Sequence, residues 1–214
     1  MATVYASAND GFIKSQGTSS WDAIRNATSG SADSTTATGS LAISAAVFAG
    51  RGTTTYRVHR AFFDFDTSGI TDTLASATLY IQGTTFSGAK FFVLKGTQST
   101  SLANSDFNSI HGWVSDGTYA GTGIAYAAEV TSWDDSDYNS ITLNATALSD
   151  MVSLDTFKIC CIESRSDAID VEPSDSSAQT GMLFSETSST SRDPYIDYSI
   201  AVAADNATFF GANF

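Results

Sequence analysis

Tyr56-Arg57-Val58-His59-Arg60-Ala61-Phe62-Phe63-Asp64-Phe65-Asp66-Thr67-Ser68-Gly69-Ile70 is the stretch that decides the fold. It holds no Gly or Pro before its closing Asp66-Thr67-Ser68-Gly69, which is turn chemistry. Phe, Tyr and Val dominate, residues that suit a pleated, half-buried surface. Alternate residues of a strand face opposite sides. One parity holds Tyr56, Val58, Arg60, Phe62 and Asp64, and the other holds Arg57, His59, Ala61, Phe63 and Phe65. Phe62 and Phe63 therefore need apolar cover on both faces, which predicts an inner strand of a layered all-β protein.

Working outward, residues 4–6, 12–14, 21–27, 41–48, 77–82, 90–95, 124–130, 141–143, 156–163, 181–185 and 195–202 read as further strands. Residues 21–27 fit a strand or a helical turn, and strand is the preferred reading. Residues 29–40 are small and polar without periodicity, the pattern of a long loop or a loosely held edge. Gly83 is expected to close its strand. Residues 105–110 read as one helical turn, and 144–152 as a short helix capped by Asn144. Turn signals recur with the rhythm of a sandwich or barrel. About ten strands exceed what one flat sheet usually holds, so two sheets are expected.

At 214 residues the chain suits one all-β domain. A net charge of −13 argues against nucleic acid, whose phosphates need clustered Lys and Arg. It argues equally against an anionic membrane surface, and no apolar run is long enough for a spanning helix. The N-terminal MATVYASANDGFIKSQ has neither a basic start nor an apolar stretch, so export by a signal peptide is not expected. Cys160 and Cys161 are the only cysteines. As strand neighbours they face opposite ways, which predicts one buried and one half-buried thiol rather than a disulfide framework. Asn26, Asn144 and Asn206 each begin an Asn-Ala-Thr acceptor pattern, whose use for glycosylation is not expected without export.

Candidate chemistry is sparse. His59 and His111 lie far apart in sequence and neither adjoins a nucleophile elbow, so no Ser-His-Asp arrangement is expected. His59 reads as an interstrand packing or hydrogen-bonding residue, and Arg60 as the partner of a buried acid. Most carboxylates fall in turns, which does not suit a glycosidase pair on rigid elements; no enzyme activity is expected. Asp134, Asp135 and Asp137 put several hard oxygens into one loop. That loop is either a calcium site or a solvated acidic turn. Trp21, Trp113, Tyr119, Trp133 and Tyr138 sit in or beside polar loops. They either stack on sugar rings or plug the ends of the sandwich.

Arg60-Ala61-Phe62-Phe63-Asp64-Phe65-Asp66, followed by Ala77-Thr78-Leu79, resembles the core pattern of DNRLRE-type jelly-roll domains. Arg192-Asp193-Pro194-Tyr195-Ile196-Asp197-Tyr198 is similar to that family's closing strand. Phe92-Val93-Leu94 with Ser105-Asp106-Phe107 resembles a pattern of its phage-borne members. The resemblance implies a two-sheet, jelly-roll-like β-sandwich over residues 1–202, with one or two short helices. It also implies a non-catalytic role, either as a structural part of a virion or phage particle or as a carbohydrate-binding or adhesive surface module. A single domain without an export signal points to the particle form. The expected partners are further copies of the chain, other virion or surface proteins, and glycan.

Residues 203–214 follow the closing strand as an aromatic tail, with Phe209, Phe210 and Phe214 as candidate assembly contacts. Burying three Phe gathers roughly 5–9 kcal/mol. Fixing six residues costs on the order of 6–12 kcal/mol. The near balance predicts weak docking singly and useful docking in a multivalent assembly. Truncation after Ala203 is expected to leave the melting temperature unchanged and to abolish oligomerisation. A truncated protein that unfolds, or that still assembles, removes the tail as an assembly contact.

Overall fold

The computed structural model describes residues 1–114, 123–174, 176–185 and 190–202. Within them the strands are β1 (Ala2–Tyr5), β2 (Gly11–Gly17), β3 (Ser31–Asp33), β4 (Thr38–Ala49), β5 (Thr54–Asp66), β6 (Leu74–Phe86), β7 (Phe91–Lys95), β8 (Tyr138–Thr142), β9 (Thr156–Glu163), β10 (Gln179–Leu183) and β11 (Tyr195–Ile200). Two helices, α1 (Trp21–Arg25) and α2 (Ala145–Ser153), complete the set with two single 3-10 turns. Every strand pair is antiparallel.

The organising stretch is an inner strand. β5 pairs β2 through Tyr56–Phe62 on one edge. On the other edge it pairs β4 up to His59 and β9 from Ala61 onward. β9 in turn pairs β7, while β4 leads through β10 to the far end of β6. The second sheet runs β1-β11-β6-β8. β6 belongs to both: Leu74–Gln82 pairs β11 and β8, and Gly83–Phe86 pairs β10. Strands that bend from one sheet into the next make the corners of a sandwich. The bend falls at Gly83, where a Cβ would lie 1.9 Å from the Asp134 carbonyl oxygen. Glycine was expected to end this strand; instead it lets the strand turn the corner.

The two sheets close on one core. Ala61, Phe63 and Phe65 of β5 meet Phe157, Ile159 and Cys161 of β9, and opposite them stand Leu79, Ile81, Ile141 and Ile196. The other parity of β5 supports a second, outer layer, with Val58 and Phe62 against Ile24, Phe107, Ile110 and Cys160. That layer explains why both cysteines are fully buried, where one half-buried thiol was expected. His59 does pack between strands. Its ring stacks on Phe12 at 5.7 Å and its Nδ1 bonds the Leu41 carbonyl. Burial lowers its pKa to about 4, so it stays neutral.

Two local expectations are corrected and a third is narrowed. Within residues 21–27, Trp21–Arg25 form α1 and not a strand, because Ser20 accepts from the Ala23 amide at 3.3 Å and Trp21, Ile24 and Arg25 share the buried side. Residues 124–130 make only isolated bridges to β7, at Ala125 and Val130. The 29–40 tract contributes the short edge strand β3 and the start of β4. The capped helix is as expected, with Asn144 Oδ1 accepting from the Ala147 amide at 3.0 Å.

Arg60 finds its buried acid. Its Nε and Nη2 donate to the two oxygens of Asp167 at 2.8 and 2.7 Å. Nη1 donates to the Phe107 carbonyl and Nη2 also to that of Arg25. Arg60, Arg25 and Asp167 are all fully buried. Removing one member of a buried, fully bonded pair costs about 3–5 kcal/mol. Arg60→Met or Asp167→Leu is therefore expected to lose that much in urea unfolding. The double variant should recover part of it; a fully additive loss contradicts the coupling.

Candidate functional site

The outward face of the β1-β11-β6-β8 sheet carries a row of tyrosines set by strand register. Tyr5 opposes Tyr195, and Tyr195 opposes Tyr80. Tyr80 and Tyr195 stack at 4.7 Å and 14°. Tyr5 leans on Tyr195 at 5.8 Å, and Tyr138 meets it edge-on at 5.2 Å. Such cross-strand pairs add about 0.5–1.5 kcal/mol each beyond area burial. Tyr5 is the most open of the four, 45% exposed. The rings thus form a rigid ridge, with its open end at β1.

Hydroxyls flank the ridge. The next row reads Thr3, Asp197, Thr78 and Thr142 across the same strands. Thr3 Oγ1 donates to Asp197 at 2.5 Å. Ser199 and Ser76 oppose each other beyond, with their hydroxyls 2.7 Å apart. Asp197 is the sole charge in these rows. A flat, nearly neutral face of hydroxyls and tyrosines offers hydrogen bonds in both directions and apolar ring area with little rotamer entropy to lose.

Tyr138 ties the ridge to its surroundings, donating to the Asp193 carbonyl at 3.0 Å. Beside it lies a cleft of 490 Å³ between residues 127–132 and β8, lined by Glu129, Thr131, Tyr138, Ser140 and Thr142 among others. No protein-family model matches this chain, and no curated protein matches it in sequence.

The aromatic candidates separate by burial. Tyr138 belongs to the ridge. Trp133 is buried, edge-on to Phe91, with its indole N–H donating to the Gly181 carbonyl at 3.1 Å. Trp21 is buried and donates to Asp170 at 3.1 Å. These two rings have no open face for a ligand. Trp113 is half-buried beneath the Arg25 and Arg60 guanidiniums at 4.5 and 4.1 Å. Its location beside the sandwich was legible, but its use as a cation–π plate was not. Tyr119, Phe209, Phe210 and Phe214 lie outside the described residues.

In the acidic turn Asp134 accepts from the Ser136 amide and hydroxyl at 2.9 and 2.7 Å, which holds its pKa below the usual carboxylate range. Asp137 accepts from the Tyr138 amide at 2.7 Å. Among the described residues no three His, Cys, Asp or Glu gather as a metal group. Tyr5, Tyr80 and Tyr195 escaped the sequence reading. Their signal was faint: each stands on the polar parity of an alternating strand, and only register brings them together.

Desolvation, with Tyr195, Asp193 and Tyr5 nearby, raises the Tyr138 pKa to about 12. Tyr195 is raised too, by desolvation and then by Asp197. The folded state therefore holds these protons more tightly than the unfolded chain. Their contribution to stability is complete below about pH 10 and is lost as pH climbs through about 12. Ultraviolet titration is expected to show a late-ionising tyrosine that Tyr138→Phe removes. An unchanged curve contradicts the assignment.

Proposed function

We propose that this chain is a non-enzymatic structural protein of a virus or phage particle, such as a head decoration, fibre or tail component, working by self-assembly and surface attachment. The observation that carries the attachment half is the tyrosine ridge. It sits on paired strands rather than loops, so its side chains are held in place before contact and lose little entropy on binding. The resemblance of Phe92-Val93-Leu94 with Ser105-Asp106-Phe107 to a pattern of phage-borne jelly-roll domains supports the particle setting. Single copies attach weakly through such a small face, and repetition on a particle turns weak contacts into firm ones.

A second reading is favoured by the same face: a carbohydrate-binding or adhesive module. Hydroxyl rows and the open ring of Tyr5 match a neutral sugar chain better than they match an anion. Electron microscopy of native particles with a labelled antibody tests the first reading, and a glycan array tests the second. Tyr5→Ala with Thr78→Arg is expected to cut attachment to particle or glycan by at least about tenfold, equal to 1.4 kcal/mol, while the lost ring contact lowers the melting temperature by only a few degrees. Full attachment by this variant removes the ridge as the contact surface.

A further inference from the structure

Residues 127–132 and β8 are the two arms of one loop-closed element. At one end the 133–137 turn joins them, locked by Asn139, which accepts from the Asp134 amide at 2.7 Å and donates to its carbonyl at 2.8 Å. At the other end Asn144 closes them, its backbone amide donating to the Tyr126 carbonyl at 2.8 Å and its side chain to that of Ala125 at 2.7 Å. Between these closures the arms part around the 490 Å³ cleft.

The β8 arm turns unpaired backbone groups into that cleft. The ladder between β8 and β6 is framed by Leu143 N–H to the Ala77 carbonyl and Gly83 N–H to the Asp137 carbonyl, both 3.0 Å. Opposed residues of an antiparallel pair alternate between bonded and non-bonded. The odd-numbered residues of β8 therefore bond β6, and Tyr138, Ser140 and Thr142 face away from it. The amide of Tyr138 is taken by Asp137. Those of Ser140 and Thr142 have no partner among the described residues. On the opposite arm Val130 exchanges both of its bonds with Phe91, at 2.9 and 3.1 Å. Its neighbours Glu129 and Thr131 are exposed and line the cleft from that side.

A free strand edge with unpaired N–H and C=O groups is what an added strand requires, and β8 pairs on one side alone. Five residues of β8 span about 17 Å, room for a short extended segment. The charge around the cleft selects its sign. Glu129 lies on one arm, exposed Asp134, Asp135 and Asp137 lie in the closing turn, and no Lys or Arg lines the cleft. Residues 203–214 carry one Asp and no base, so this chain's own aromatic segment is a poor match.

We propose that the cleft is a strand-accepting site for an extended, Lys- or Arg-bearing peptide segment of a partner protein. The segment pairs with Ser140 and Thr142 and lies against Glu129 and Thr131. This goes beyond attachment through the tyrosine ridge and is separable from it.

The test is fluorescence anisotropy of the full chain with a labelled octapeptide of alternating Lys and Val. Saturable binding that weakens as salt rises is expected. N-methylating alternate amides of the peptide should weaken binding by at least about tenfold, because the pairing donors are gone. Ser140→Pro removes a cleft-facing N–H that β6 does not use and should weaken binding similarly. Glu129→Lys serves as the second variant, and the melting temperature checks the fold of both. No saturable binding overturns the proposal. So does equal affinity for the N-methylated peptide or for an alternating Glu-Val peptide, or binding that both variants leave unchanged. Tyr5→Ala with Thr78→Arg should weaken attachment and keep the peptide, which separates failure of one site from failure of the other.

Discussion

The paired donation from Arg60 to Asp167 is the interaction on which the outer layer depends. A guanidinium in the middle of an inner strand is costly to bury unless its donors are satisfied. Here Asp167 takes two donors, and the carbonyls of Phe107 and Arg25 take one each. Those partners come from three separate segments, so satisfying one side chain fixes α1, the 104–110 region and the 164–170 turn against β5. Phe107 and Trp113 then cover the cation with their ring faces at 4.1 Å. Val58, Phe62 and Cys160 are dry because that layer stays in place.

With one face of β5 sealed in this way, the other is free to build the core between the sheets. The opposite sheet then needs only its inner parity to be apolar, as Leu79, Ile81, Ile141 and Ile196 show. Its outer parity carries no packing duty and can hold tyrosines and hydroxyls. The ridge is thus a consequence of layering: the sheet farthest from the sealed layer offers a flat face to solvent. The corner at Gly83 matters for the same reason. It carries β6 from one sheet into the other and gives the Asp134 turn its seat, and that turn closes one end of the cleft.

The ridge and the cleft meet at Tyr138 and divide the chemistry between them. The ridge presents side chains, rings and hydroxyls with nearly no charge. The cleft presents backbone under an acidic rim. Side-chain faces discriminate by shape and hydrogen-bond pattern, whereas free strand edges bind whatever extended backbone reaches them. In the proposed roles, the ridge would hold a surface and the cleft a neighbouring protein.

Sequence alone determined the all-β class, the inner position of β5, the buried role of Arg60, the packing role of His59 and the helix capped by Asn144. Each rests on local chemistry: alternation, turn residues, a cap, or a charge that must be paired wherever it is buried. Tertiary structure decided the rest. Trp21 and Trp133 look alike from their polar flanks, yet burial removes both from any surface. Residues 21–27 carry a pattern too short to separate helix from strand, and packing on β5 settles it. Tyr5, Tyr80 and Tyr195 are far apart in the chain and become one row only through the register of β1, β11 and β6. Register is a long-range property, fixed by which faces are buried, and no window of sequence contains it.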